Sequence, residues 1–269
     1  MSSQRQKPTL NLQTKQVLHI AFGLKPTKKS LRNLLPILQT ENYIFADGHH
    51  RYETALNYRN YCRENGISKP GDPQDFQMIY LVDMEHPGLV VFPTHRLVRD
   101  LPNFDKEAVL EKCSEFFYID EKEGTDTMEE DLKKLYDEGK KAFGFYCGKG
   151  EWFLLTLKNI DFMSQMLPNV SKASQSLDVS VLHTLILEKI FGIDKENMAK
   201  QINLTYTKFF TEAIDGVDKG EFQCSFVLNP TRVTEIRDVA AAGEKMPQKS
   251  TYFYPKMITG MVMNNLGVD

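Results

Sequence analysis

The segment YIFADGHHRYETA, residues 43–55, combines a strand pattern, a turn and a helix pattern and holds the best candidate site in the chain. Its first four residues are apolar and favour a strand, and they run directly into Asp47 and Gly48. From residue 49 to residue 65 the pattern is helical, and Gly66 is a suitable helix stop. The segment therefore predicts a strand, a tight turn and a helix that begins just after Gly48.

Strand and helix patterns alternate through the rest of the chain. Strands are predicted at residues 78–84, 89–92, 117–120 and 222–228, with a hairpin that pairs 142–147 with 152–157. Helices are predicted at residues 25–40, 104–116, 127–139, 177–191 and 231–242, with Asp178 as an N-cap. This alternation predicts a mixed α/β or α+β class. A boundary near residue 100 separates a portion carrying the turn, 1–100, from a carboxy-terminal α/β region, 101–269.

The composition excludes several classes of protein. A net charge of -3 and a pI of about 6.1, without a clear helix-turn-helix pattern, count against nucleic acid as the partner. The four cysteines form no CxxC pair, which counts against a zinc knuckle and is typical of reduced thiols. No apolar stretch approaches the roughly 20 residues that cross a bilayer. The sequence therefore predicts a cytoplasmic protein that does not span a membrane.

The turn at residues 47–51 has the parts of a phosphate-binding site. The first turn of a helix presents backbone N–H groups and a dipole that favours an anion, and a glycine lets a ligand approach closely. Arg51 offers a planar set of donors to phosphate oxygens, and His49 and His50 add imidazole N–H donors. Asp47 is a candidate ligand for Mg²⁺. We predict that Asp47, Gly48, His49, His50 and Arg51 contact the ligand, with Asp47, His49 and His50 as candidate catalytic groups.

Other interpretations of these residues remain open. Asp47 can simply cap the helix beside solvated histidines, or it can bind a transition metal with one of them and His95. His95 and Arg96 follow a predicted strand, where α/β proteins place ligand groups, so both are candidate ligand contacts; the alternative is an exposed pair. His183 is predicted to be a packed histidine. Residues 243–250 approach the P-loop spacing, but they lack its second glycine and follow a helix, so they are not a P-loop.

Four segments, taken in order, resemble a known family. They are residues 45–55, LVDMEHPGLVVFPTHR at 81–96, LDVSVLH at 177–183 and GEKMPQKSTYFYPK at 243–256. Together they resemble the signatures of the prokaryotic family called domain of unknown function 1015 (DUF1015). Members usually carry a longer segment before the His-His-Arg motif. The resemblance therefore implies a chain that lacks the usual amino-terminal part.

The turn has a further, weaker resemblance. Residues 48–55 are similar to the Gly-x-x-Arg-x-x-Ala box of ParB-like proteins, which binds nucleotide phosphates, and residues 47–51 look like the matching stretch of archaeal free-serine kinases. This resemblance implies a ParB-like nucleotide-binding portion followed by a second α/β subdomain. It also implies ATP or ADP with Mg²⁺ as cofactor and a small hydroxyl-bearing metabolite as phosphoryl acceptor.

Two alternatives to a phosphotransferase stay open. One is a nucleotide-responsive regulatory protein without catalysis, and the other is a metal-dependent hydrolase. A missing amino-terminal part would also expose a sheet edge or an apolar patch, which predicts oligomerisation.

Overall fold

The computed structural model describes residues 43–44, 48–86, 88–124, 127–254, 256, 263 and 265–266. The strands are β1 Val90–Phe92, β2 His95–Val98, β3 Phe117–Glu123, β4 Ala142–Tyr146, β5 Glu151–Leu157, β6 Leu204–Thr207, β7 Cys224–Val227 and β8 Tyr252–Tyr254. The α-helices are α1 His49–Glu64, α2 Lys106–Cys113, α3 Met128–Asp137, α4 Asp161–Met166, α5 Lys172–Gln175, α6 Asp178–Val181, α7 Lys195–Lys200, α8 Phe210–Asp218 and α9 Val233–Ala241. The helix predicted at 25–40 and residues 45–47 of the turn lie outside the described residues.

The chain divides into two compact units, Met1–Val90 with Pro255–Asp269, and Val91–Tyr254. In the first unit, α1 is followed by a 3₁₀ turn at Pro73–Asp75. Arg63 in the last turn of α1 pairs with Asp75 at 2.7 Å from Nη2 to Oδ1. This ion pair joins the end of α1 to the turn.

The strand predicted at residues 78–84 is wrong. Those residues are described without a strand, although their apolar side chains suggested one. Tyr80 is 61% exposed and Met78 is 41% exposed. A strand needs a hydrogen-bonded neighbour, and within the described ranges no neighbouring strand pairs with this segment.

The second unit is built on a six-stranded sheet in the order β3-β5-β4-β7-β2-β6. Every neighbouring pair is antiparallel. β4 and β5 form the predicted hairpin, which is confirmed, and β2 lies between β7 and β6. Residues 91–100 therefore fold with the residues that follow them. β1 and β8 pair in a separate two-stranded sheet.

Alternation along the strands gives each face of the large sheet its own apolar core. One face, with Phe143 and Phe145, packs with residues 179–187 and with α2. The other face, with Tyr146 and Trp152, packs with α3 and α8. Helices therefore cover both faces of an antiparallel sheet, which confirms the predicted mixed α/β class.

The helix predicted at 177–191 forms as two segments, α6 and a π-helix at Leu182–Ile190. Asp178 is not its N-cap, because Leu177 holds that position with an extended backbone. The Asp178 carboxylate instead lies 2.9 Å from Nζ of Lys141, and Glu235 lies 3.1 Å from the same amine. An aspartate at the start of a helix thus serves as the partner of a half-buried lysine.

Candidate functional site

Gly48 is the N-cap of helix α1, and its backbone has φ 87 and ψ 20. Glycine adopts this left-handed conformation without the penalty that a Cβ brings. The first helical hydrogen bond runs from the Tyr52 amide to the Gly48 carbonyl at 3.0 Å. The predicted helix start just after Gly48 is therefore confirmed, and position 48 provides no side chain to cap it.

The guanidinium of Arg51 lies over Gly48. A Cβ at position 48 would come within 2.9 Å of Nη2 and 3.2 Å of Nε of Arg51. A Cβ at position 48 would therefore push the guanidinium out of this place. Arg51 and His50 are both exposed, and Nδ1 of His50 lies 3.8 Å from Glu53. The turn thus places a permanent cation beside the start of a helix, within reach of solvent.

The charge of this first turn is unusual for a helix. It carries His49, His50 and Arg51 and no acidic residue. The positive end of the helix dipole normally favours Asp or Glu, with an effect of about 0.3–1 kcal/mol per charge. The Arg51 guanidinium adds to the positive potential of the helix start. The turn is therefore electrostatically suited to an anion.

The predicted metal roles of the turn depend on Asp47. Asp47 lies outside the described residues, so its capping, Mg²⁺ and transition-metal roles stay predictions. Within the part of the chain that the structure describes, no group of three or more His, Cys, Asp or Glu side chains is placed to hold a metal ion.

Arg96 lies inside the second unit on β2, and it is 0% exposed. Its Nη1 donates to the Thr94 carbonyl, and its Nη2 donates to the Lys249 carbonyl at 3.2 Å. Its Cζ lies 5.5 Å from the centre of the Tyr206 ring. Burial lowers the pKa of Arg96 to about 10. The alternative of an exposed pair at residues 95 and 96 is therefore wrong.

His183 on the π-helix is the side-chain partner of Arg96. Its Nε2 lies 3.1 Å from Nη2 of Arg96. Because a guanidinium only donates, Nε2 is the acceptor and the ring proton resides on Nδ1. Burial, with a smaller effect of Arg96, lowers the pKa of His183 well below its usual value, so the ring is neutral at pH 7. The prediction of a packed histidine is confirmed.

His95 points to the opposite face of the sheet from Arg96, as successive residues of a strand do. Its Nδ1 accepts from the Leu228 amide at 3.4 Å, and its ring meets Phe210 edge-on with centroids 6.4 Å apart. Burial, with a smaller effect of Arg96, lowers the pKa of His95 to about 4. The two predicted ligand contacts therefore do not converge on one point.

Three of the four segments that carry the family resemblance meet at Arg96. Arg96 ends segment 81–96, His183 ends segment 177–183, and Lys249 belongs to segment 243–256. Sequence reasoning missed this cluster, because the partners are 87 and 153 residues away along the chain. The only available signal was that all three segments carry the family resemblance, which does not say that they meet.

A model of the family described as protein of unknown function (DUF1015) matches residues 1–180, about two thirds of the chain. The chain belongs to the DUF1015 family. None of the curated proteins matches this DUF1015 chain significantly. No helix among the described residues is both long enough and apolar enough to cross a bilayer.

Solved structures similar to the DUF1015 chain include a conserved hypothetical protein from Pyrococcus furiosus, at 20% identity and a TM-score of 0.41, covering 80% of this chain and 71% of that one. A free serine kinase in complex with AMP is similar at 17% identity and a TM-score of 0.41, covering 78% and 66%. A variant of a free serine kinase in complex with ADP gives 16% identity with the same coverage and TM-score. The chain thus spans about two thirds of the length of these kinases.

Proposed function

We propose that this DUF1015 protein binds the phosphate groups of a nucleotide at the Gly48–Arg51 turn. The placement of the Arg51 guanidinium over Gly48, beside the start of α1, carries the proposal. Backbone N–H groups at a helix start and a planar guanidinium are complementary to phosphate oxygens. The resemblance of residues 48–55 to the ParB-like box supports a nucleotide as the phosphate source. Asp47, His49 and His50 complete the proposed contact set, with Asp47 holding Mg²⁺.

The reaction that fits this turn is phosphoryl transfer from ATP or ADP to a small hydroxyl-bearing metabolite. Such transfer depends mainly on positioning and on neutralising the charge of the phosphates. Arg51 and Mg²⁺ supply the neutralising charge, and His49 and His50 are the candidate groups that handle the acceptor proton. Serine is the first acceptor to test, because residues 47–51 resemble the matching stretch of free-serine kinases.

The first experiment measures thermal unfolding of the wild type, Arg51→Ala and Arg59→Ala against ATP, ADP, AMP, CTP and inorganic phosphate, each with and without Mg²⁺. A ligand at about 100 times its Kd stabilises a protein by about 2.7 kcal/mol. Arg59→Ala is the matched control. It removes the same charge from α1, about 12 Å further along the helix axis, where Arg59 bonds to Asn60.

We expect at least one nucleotide to raise the melting temperature of the wild type and of Arg59→Ala, but not that of Arg51→Ala. A chain that no nucleotide stabilises, or an equal loss in both variants, contradicts the phosphate turn. Phosphoryl transfer is then followed by ³¹P NMR with serine as acceptor. Nucleotide binding without any phosphorylated product favours the regulatory alternative.

A further inference from the structure

Arg96 is a buried cation without an anionic partner. No carboxylate pairs with it among the residues that the structure describes, and the only charged or polar groups at its guanidinium are two carbonyls, the His183 imidazole and the Tyr206 ring. Its Nε is buried and has no hydrogen-bond partner. Burying a charge without a counter-ion is strongly unfavourable, and arginine is the side chain best suited to a bidentate oxyanion. The donor set is therefore incomplete by one anion.

A short segment at residues 244–250, here called the strap, contacts Arg96 beside its partner His183. Its carbonyl at Lys249 accepts from Arg96, and Lys249 itself has a left-handed backbone with φ 54. A residue that carries a Cβ is strained in that conformation. The residue of the strap that contacts Arg96 is thus also the one with a left-handed backbone.

Two polar anchors hold the ends of the strap. The carboxylate of Glu244 accepts from the amide and the hydroxyl of Ser171, each at 2.7 Å, and from the hydroxyl of Ser174. At the other end, the hydroxyl of Thr231 donates to the carbonyl of Ser250 at 2.9 Å. Between the anchors, residues 244–247 have no regular structure. The strap is therefore held by a few hydrogen bonds and not by helix or sheet pairing.

We propose that Arg96 and His183 bind one oxyanionic group of a small ligand, and that the strap moves aside to admit it. The oxyanion replaces the Lys249 carbonyl on Nη2 and gives Nε its missing acceptor. Nε2 of His183 continues to accept from Nη2 and so fixes the orientation of the Arg96 guanidinium. This site is built from residues of the second unit alone and does not depend on the proposed function.

The test follows the Nε–H signals of the protein labelled with ¹⁵N-arginine, because a buried Nε–H exchanges slowly enough to be seen. Arg96→Lys, which keeps the charge but removes Nε, assigns the signal. Inorganic phosphate and formate are the probes. We expect at least one of them to shift the Arg96 signal in a saturable way. A stronger response to phosphate identifies a phosphoryl ligand, and a stronger response to formate identifies a carboxylate.

Glu244→Gln tests the strap. A neutral amide loses the charge-assisted bonds from Ser171 and Ser174, so the strap opens more easily. We expect the probe concentration at half-saturation to fall by about tenfold, equal to about 1.4 kcal/mol. Glu221→Gln, the same change at an exposed glutamate, is the control and leaves half-saturation unchanged. Ser174→Ala replaces Glu244→Gln if that variant does not fold.

An Arg96 signal that neither probe moves, in the wild type or in the strap variants, overturns the site. A shift that disappears in Arg51→Ala also overturns it, because the probe then acts through the turn. A shift in the wild type with equal half-saturation in Glu244→Gln retains the oxyanion site and overturns the role of the strap.

Discussion

His95→Asn tests whether His95 is held neutral inside the second unit. Nδ1 of His95 accepts from the Leu228 amide at 3.4 Å, and the side chain is 5% exposed. The Oδ1 atom of an asparagine can take over that acceptor position, but it cannot be protonated in the same pH range. The substitution therefore removes the titration while it keeps the hydrogen bond.

Protonation of His95 would remove the lone pair that binds Leu228 and would bury a second cation near Arg96. The pKa of His95 is lowered from 6.5 to about 4, first by burial and then by Arg96. Because each pKa unit corresponds to about 1.4 kcal/mol, a neutral His95 contributes roughly 3 kcal/mol that acid removes. The unfolded chain binds the proton first as the pH falls, so this stability is present above pH 6.5 and is lost as the pH falls towards about 4.

The assay is urea unfolding of wild type and His95→Asn at several pH values from about 7.5 to about 4. Asparagine is smaller, so the wild type is more stable at the upper end. We expect the difference in unfolding free energy to shrink by about 3 kcal/mol towards the lower end. His86→Asn is the matched control, since exposed His86 also accepts a backbone amide, from Gly88 at 3.0 Å. A difference for His95→Asn that is independent of pH would refute a buried neutral imidazole.

Three further outcomes are expected. Gly48→Ala puts a methyl group where φ is 87 and where the Arg51 guanidinium lies. We expect urea unfolding to show a loss of about 1–2 kcal/mol and titration to show a higher nucleotide Kd. An unchanged Kd contradicts the placement of Arg51. Lys141→Met leaves the carboxylate of Asp178 buried without its ion-pair partner, so we expect the unfolding free energy to fall by about 3–5 kcal/mol. Adding Asp178→Asn should recover part of this loss, and a double variant with no recovery contradicts a structural role for the pair. Gly144→Ala places a Cβ 2.6 Å from a methyl group of Val227 on the neighbouring strand, so we expect urea unfolding to show a loss of about 1–3 kcal/mol of unfolding free energy. An unchanged stability means that the surrounding side chains can move to accept the methyl group.

Sequence patterns predicted the elements that local chemistry determines. The start of α1 follows from a glycine between an apolar run and a helical pattern, and the β4–β5 hairpin follows from two β-prone runs joined by residues 148–150. These signals lie within a few residues of the structure they specify. The same kind of signal failed at residues 78–84, because a strand also needs a partner that its own sequence does not contain.

In the candidate site too, sequence predicted the local features and missed those that depend on distant residues. The residues of the Gly48–Arg51 turn could be named from sequence, since they are adjacent and their backbone geometry is local. The placement of the Arg51 guanidinium over Gly48 required the structure, because a rotamer is set by its surroundings. The predicted pair at residues 95 and 96 was adjacent in sequence, yet the pleat of β2 sends the two side chains to opposite faces.

By itself, the sequence determined the family, the mixed α/β class and a basic glycine turn at the start of a helix, all of which depend on residue types within short windows. Only the tertiary structure decided that Arg96, His183 and the Lys249 carbonyl form one buried cluster. It also decided that Asp178 pairs with Lys141 and does not cap a helix. These contacts join residues far apart in the chain, and their energies come from burial and missing counter-charges, which arise only when the sheet and its helices have packed.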